Sequence, residues 1–153
     1  MKQFLQNVMN DMKNRSVGEC LGCTYEENCP GDCEICLDYI HNQSHAPNGA
    51  PERKYDCVHM ADVYACKYSY RYTSEIIYAL KRCKDLWNVN NLKVLSFGCG
   101  PCTDLFAIDY LHESGKLKYQ NIEYRGVDYS EAVWRYIHLS LIHISEPTRR
   151  SYI

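Results

Sequence analysis

One segment decides what kind of fold this chain can enter. Lys93 to Asp109 reads KVLSFGCGPCTDLFAID, in which LKVLSF (92–97), read as a compact buried strand, meets a turn with two glycines and then apolar residues at helical spacing. A strand that feeds a helix through a glycine turn starts a β–α unit, and such units build parallel sheets. Gly98 allows the sharp change of direction, and Gly100 lets a ligand approach the backbone closely. The helix is predicted from about Cys102 to His112, with Gly115 as its stop. Its unpaired first N–H groups face the crevice at the carboxyl end of the strand, where open α/β sheets bind ligands. A second strand, IEYRGVD (122–128), ends at Asp128, where a carboxylate can accept hydrogen bonds from two ribose hydroxyls. A capped helix is expected to begin near Ser130.

The run VLSFGCGPCTDL (94–105), together with the strand-end acid in YRGVDYS (124–130), resembles motif I of class I S-adenosylmethionine-dependent methyltransferases. The resemblance covers roughly residues 75–138 and departs from the family pattern at two places. Ser96 stands where members commonly carry an acid, and Cys102 replaces the third glycine of G-x-G-x-G. Asp104 either compensates for the missing acid or sits in the first turn of the helix, where the dipole favours it. The resemblance implies S-adenosylmethionine as cofactor, with Gly98, Cys99 and Gly100 along its methionine part and Asp128 on its ribose. It places the catalytic motif after a fourth strand, so no catalytic residue is identifiable. The methyl acceptor (RNA, protein or small molecule) stays open.

Other readings use the same residues. Cys99-Gly100-Pro101-Cys102 is also the redox motif of thioredoxins, set between a strand and a helix whose N-terminus would lower a thiol pKa. Against it, Gly98 stands where thioredoxins usually carry tryptophan, and Gly126-Val127-Asp128 suits a nucleoside better. A nicotinamide site of the G-x-G-x-x-G type would need glycine at position 103, which is Thr103. A third reading is a zinc-stabilised nucleoside-binding or interaction module without catalysis.

Half of the 10 cysteines fall between residues 18 and 36, in a stretch with loop-like composition. Cys20-x2-Cys23 and Cys33-x2-Cys36 form two knuckles whose four thiolates can complete a tetrahedral zinc shell. Cys29 is then a spare thiol or replaces a knuckle member, and His41 and His45 are exposed loop histidines or substitute ligands. The competing parse Cys29-x3-Cys33-x2-Cys36 has the spacing of an iron–sulfur site, but the barrel that goes with it in radical enzymes is not apparent downstream. Without an export signal, this cysteine usage suggests metal or redox chemistry in a reducing, cytoplasmic compartment.

Phe4, Leu5, Val8, Met9 and Met12 predict an amphipathic helix over residues 2–14. Residues 42–54, NQSHAPNGAPERK, read as a linker. Val58 to Lys84 has a helical pattern with a possible fresh cap at Thr73-Ser74-Glu75, and it carries Tyr64, Tyr68, Tyr70, Tyr72 and Tyr78. These tyrosines are expected to bury rings and leave hydroxyls wet, and Cys57, Cys66 and Cys83 to act as small buried residues.

The tail stands apart. LSLIHISEPTR (139–149) resembles, residue for residue, a translation of the transposase-end adapter used in preparing DNA sequencing libraries, so residues 139–153 are read as non-native. The expected organisation is then an N-terminal helix and cysteine module (1–41), a linker (42–54), and a helical lead-in with the first βαβα part of an incomplete Rossmann-like α/β sheet (55–138). Such a sheet has an open edge through which it can associate. With 17 Lys+Arg against 19 Asp+Glu, there is no broad basic footprint for nucleic acid. No apolar run approaches the roughly 18 residues of a membrane span, so no membrane contact is expected.

Overall fold

The computed structural model describes residues 1–14, 29–130 and 133–134. In chain order it contains α1 (Lys2–Asn14), α2 (Cys33–His41), α3 (Val58–Leu80), β1 (Asn91–Phe97), α4 (Thr103–Glu113) and β2 (Asn121–Val127). Single 3-10 turns at Gln43–His45 and Lys84–Leu86 join these elements. Among the described residues the sheet has two parallel strands, in register from Asn91 opposite Asn121 to Phe97 opposite Val127. A parallel pair joined through a helix makes this a mixed helix-and-strand fold of α/β type.

Helix α3 runs without a break through Thr73-Ser74-Glu75. The hydroxyls that suggested a fresh cap are satisfied without one. Ser74 Oγ donates back to the carbonyl of Tyr70 at 2.8 Å, and Thr73 Oγ1 donates across to the carbonyl of Thr103 at 3.2 Å. Helix α2 occupies ground expected to be loop. Asp32 caps it, its carboxylate accepting the N–H groups of Glu34 and Ile35. Helix α4 stops where Gly115 turns left-handed (φ 68°) and Leu111 accepts the N–H groups of both Lys116 and Leu117.

The core lies on one side of the sheet. Leu92, Ile108, Leu111 and Leu117 form one cluster, with Ile77, Val94 and Ile122 against it. A second cluster joins Phe4, Leu5 and Val8 of α1 to Ala61, Ala65, Leu105, Phe106, Tyr124 and Trp134. Thus α1 packs on the strand–helix unit, its Phe4 ring 4.9 Å from that of Phe106. Helix α2 packs elsewhere, placing Leu37 against Cys57 and Met60. The compact buried strand expected at 92–97 is buried on its inner face only. On the outer face Leu95 and Phe97 are 58% and 78% exposed, and Val127 beside Phe97 is 53% exposed. Parallel sheets normally have both faces covered.

Candidate functional site at the glycine turn

The strand ladder continues one step beyond its last pair. Val127 accepts the N–H of Gly98 at 2.7 Å and of Cys99 at 3.3 Å, which brings the turn directly over the end of β2. Asp128 then clamps it. Its Oδ2 accepts the N–H of Gly100 at 2.9 Å, and its Oδ1 accepts the N–H of Ser130 at 2.8 Å. A carboxylate offers about four acceptor sites, so these two bonds leave Asp128 able to accept more. Gly98, Cys99, Gly100 and Asp128 therefore lie together at the carboxyl end of the parallel pair, as the sequence led one to expect.

Three alternate positions of the turn are left-handed: Gly98 (φ 65°), Gly100 (φ 46°) and Cys102 (φ 56°). A side chain at position 98 would project into open space, whereas one at 100 would reach the Trp134 ring at 3.9 Å. The turn is thus open at Gly98 and roofed at Gly100. Gly126 supplies close approach from below: an added Cβ there would stand 2.8 Å from Cys99 Sγ. With open space at Gly98 and spare acceptor capacity on Asp128, the residues present fit a nucleoside-bearing cofactor.

Asp104 lies in the first turn of α4 and accepts the hydroxyl of Tyr124 at 2.8 Å. Burial is the main force raising the Tyr124 phenol above its usual range, with the neighbouring Cys102 and Asp104 adding to it. Neither thiol of Cys99-Gly100-Pro101-Cys102 is in a disulfide, and both residues are buried, at 6% and 4% exposure. Contact with Cys99 and burial together push Cys102 far above an ordinary thiol. Disulfide exchange favours the opposite arrangement, an exposed thiol of lowered pKa.

Several tyrosines of α3 are joined in one aromatic row. Tyr64, Tyr68 and Tyr72 stack along α3, and Tyr64 and Tyr55 both meet the Trp134 ring that roofs the turn. Burial raises the Tyr64 phenol as well. His41 closes this aromatic row, with Tyr55 Oη at 2.8 Å from its Nε2. His41 and His45 are exposed, as expected, but His41 ends α2 rather than lying in a loop, and Nδ1 of His45 is 2.7 Å from Asp38 Oδ2. The buried α3 residues Asp62, Ser69 and Thr73 fall on one helix face, a polar stripe that apolar periodicity could not reveal. A separate apolar pocket of about 300 Å³, lined by Ile76, Leu80, Trp87, Leu92, Ile108 and Leu117, does not include the glycine turn.

Cys20 and Cys23 lie outside the described residues. Cys33 opens α2, and Cys36 follows one turn later with its thiol buried. Burial pushes Cys33 up to about 11, and the neighbouring thiols of Cys57, Cys36 and Cys29 act in the same direction. Cys57 is buried, Cys66 half-buried and Cys83 exposed, so only the first behaves as the composition suggested. Arg53, inside the expected linker, is buried and donates from Nη1 to Cys36 Sγ at 3.8 Å. Among the described residues, no three Cys, His, Asp or Glu side chains already stand around a common metal position.

No protein-family model, curated protein or solved structure matches the chain. Among the described residues, no helix is long and apolar enough to cross a membrane.

Proposed function

We propose that the chain carries the cofactor-binding half of a class I methyltransferase-like Rossmann unit, with S-adenosylmethionine at the glycine turn. The observation that carries this reading is the backbone at position 102. The family pattern has a third glycine there, and Cys102 adopts a left-handed conformation that glycine enters freely and an L side chain rarely does. Gly98, Cys99 and Gly100 would line the methionine part, and Asp128 would hold the ribose hydroxyls with its remaining acceptor sites. Methyl transfer is an in-line attack on a sulfonium, and the protein's contribution is to position donor and acceptor. The acceptor is RNA, a protein or a small molecule. Among the described residues the sheet edges are unpaired and the face at Leu95 and Phe97 is open, and both favour association.

The dithiol alternative is disfavoured by the burial of Cys99 and Cys102. Calorimetric titration of the full chain tests the proposal. S-adenosylmethionine and its demethylated product should bind, NAD should not, and Asp128→Ala should weaken binding roughly tenfold or more, as loss of charge-assisted hydrogen bonds predicts. Absence of binding by either sulfur nucleoside would overturn it.

A further inference from the structure

The apolar pocket of about 300 Å³ touches every residue of β1 from Leu92 to Leu95. Successive strand residues point to opposite faces of a sheet, so a pocket that meets all of them runs along an edge of the strand. Strand β2 takes the other edge, and the pocket therefore follows the edge of β1 that has no strand partner among the described residues. Its walls come from Ile76 and Leu80 of α3 and from Ile108 and Leu111 of α4. These helices run in the same direction. Thr73 of α3 donates to the carbonyl of Thr103 where α4 begins, and Leu80, further along α3, packs against the cluster of Ile108 and Leu111. Their last turns thus share one end of the pocket, which holds Lys81, the residue that caps α3, and Lys116, just past α4. Asp104, in the first turn of α4, stands at the opposite end. Trp87 also lines the pocket, its Nε1 donating to the carbonyl of Leu80 at 3.5 Å.

We propose that this pocket binds a small amphipathic anion, a medium-length alkyl chain ending in a carboxylate, with its head at Lys81 and Lys116 and its chain laid along β1. The aliphatic walls favour a hydrocarbon chain over a polar ligand. The volume equals the liquid share of about ten water molecules, which suits a chain of medium length. Lysine stems can lie on such a wall while their ammonium groups stay in water, and Lys81 and Lys116 are both exposed. Lys93, which also lines the pocket, already stands 3.8 Å from Glu123, whereas Lys81 and Lys116 have no carboxylate partner among the described residues. Asp104 repels an anionic head from the far end, so the charges at the two ends fix one orientation of the ligand. This site is separate from the glycine turn and does not depend on the methyltransferase-like reading.

The test is calorimetric titration of the full chain with decanoate below its micelle-forming concentration, with tryptophan fluorescence followed in parallel. About one decanoate per chain is expected, with a change in emission that is absent in Trp87→Phe. Decyltrimethylammonium, the same chain length with a cationic head, should bind at least roughly tenfold more weakly. Lys81→Glu/Lys116→Glu alters two exposed side chains, so the circular dichroism should match that of the parent while decanoate affinity falls at least roughly tenfold. Ile76→Trp, which adds bulk at the wall, should weaken decanoate as well. Equal binding of the two amphiphiles, decanoate affinity unchanged in the lysine pair, several decanoates per chain, or no binding would each overturn the proposal. So would self-association that excludes decanoate as the chain is concentrated, because a second copy would then be the occupant.

Discussion

Oδ2 of Asp128 accepts the N–H of Gly100 at 2.9 Å, so a residue just beyond β2 holds the middle of the turn that follows β1. Its other oxygen fixes Ser130, which makes one carboxylate the link between the glycine turn and the chain beyond the second strand. Asp128→Ala removes the acceptor of two backbone N–H groups and should destabilise the chain by about 1–3 kcal/mol in urea denaturation. Asp128→Asn keeps one acceptor oxygen and should cost roughly half as much. Equal stability of the alanine variant and the parent would show that the clamp is not formed in solution.

Cys102 adopts φ 56°, a conformation that glycine enters freely and a cysteine enters at a cost of roughly 1 kcal/mol. Cys102→Gly should therefore lose little stability, since relief of the backbone offsets the loss of a buried thiol. Cys102→Val, with a branched Cβ in the same conformation, should cost at least about 2 kcal/mol. Comparable midpoints for the two variants in urea would contradict a left-handed residue at this position.

The strand–turn–helix–strand unit was legible because each part has its own local signal: an apolar run, two glycines, a helical period and a terminal acid. Helix α2 was not, since its nine residues are short and its one clear mark is the Asp32 cap within a cysteine-rich stretch. The buried Arg53 was equally hidden, because a proline- and glycine-rich composition says nothing of which side chain folds back onto Cys36. Burial of β1 was overestimated for a related reason. LKVLSF has the composition of a strand covered on both faces, but α3 and α4 both pack against the same face. The packing of Leu37 in α2 on Cys57 and Met60 at the start of α3 is a tertiary relationship, and no spacing rule carries it.

Alkaline stability depends on Tyr124 and Cys102. Both are raised above their ordinary values of 10.0 and 9.0, so the fold keeps them protonated while the unfolded chain releases their protons. The unfolded state then binds fewer protons, and stability must fall as pH rises through 9.0 and 10.0. Tyr124→Phe should lower stability near neutrality by about 1 kcal/mol, through loss of the hydrogen bond to Asp104. The same change should flatten the decline between about pH 8 and about pH 10.5. Urea midpoints across that range give the comparison, and an equally steep decline in the variant would exclude Tyr124 as its source.

The thiols should separate by reactivity. Cys29 and Cys83 are exposed, whereas Cys99 and Cys102 are buried and Cys102 is held protonated. Alkylation of the metal-free native chain near neutral pH, resolved by peptide mass spectrometry, should label Cys83 at least roughly tenfold faster than Cys102, since each pKa unit changes the thiolate fraction about tenfold. Denaturant should remove the difference. Rapid labelling or ready disulfide formation at Cys99 and Cys102 in the native chain would revive the redox reading of the turn.

Gly126 lies directly beneath Cys99, and an added Cβ would meet Cys99 Sγ at 2.8 Å and Cys99 Cβ at 3.1 Å. The contact falls between the inner face of β2 and the turn, so the sheet cannot yield without disturbing the bonds from Gly98 and Cys99 to Val127. Gly126→Ala should destabilise the chain by about 1–3 kcal/mol, the usual effect of overpacking. Cys99→Ala removes the nearer atom and leaves the farther one, so the double variant should recover part of the loss, with a coupling of at least about 0.5 kcal/mol. Strict additivity of the two changes in a double-mutant cycle would mean that the strand and the turn do not touch here, and that Gly126 is tolerated for some other reason.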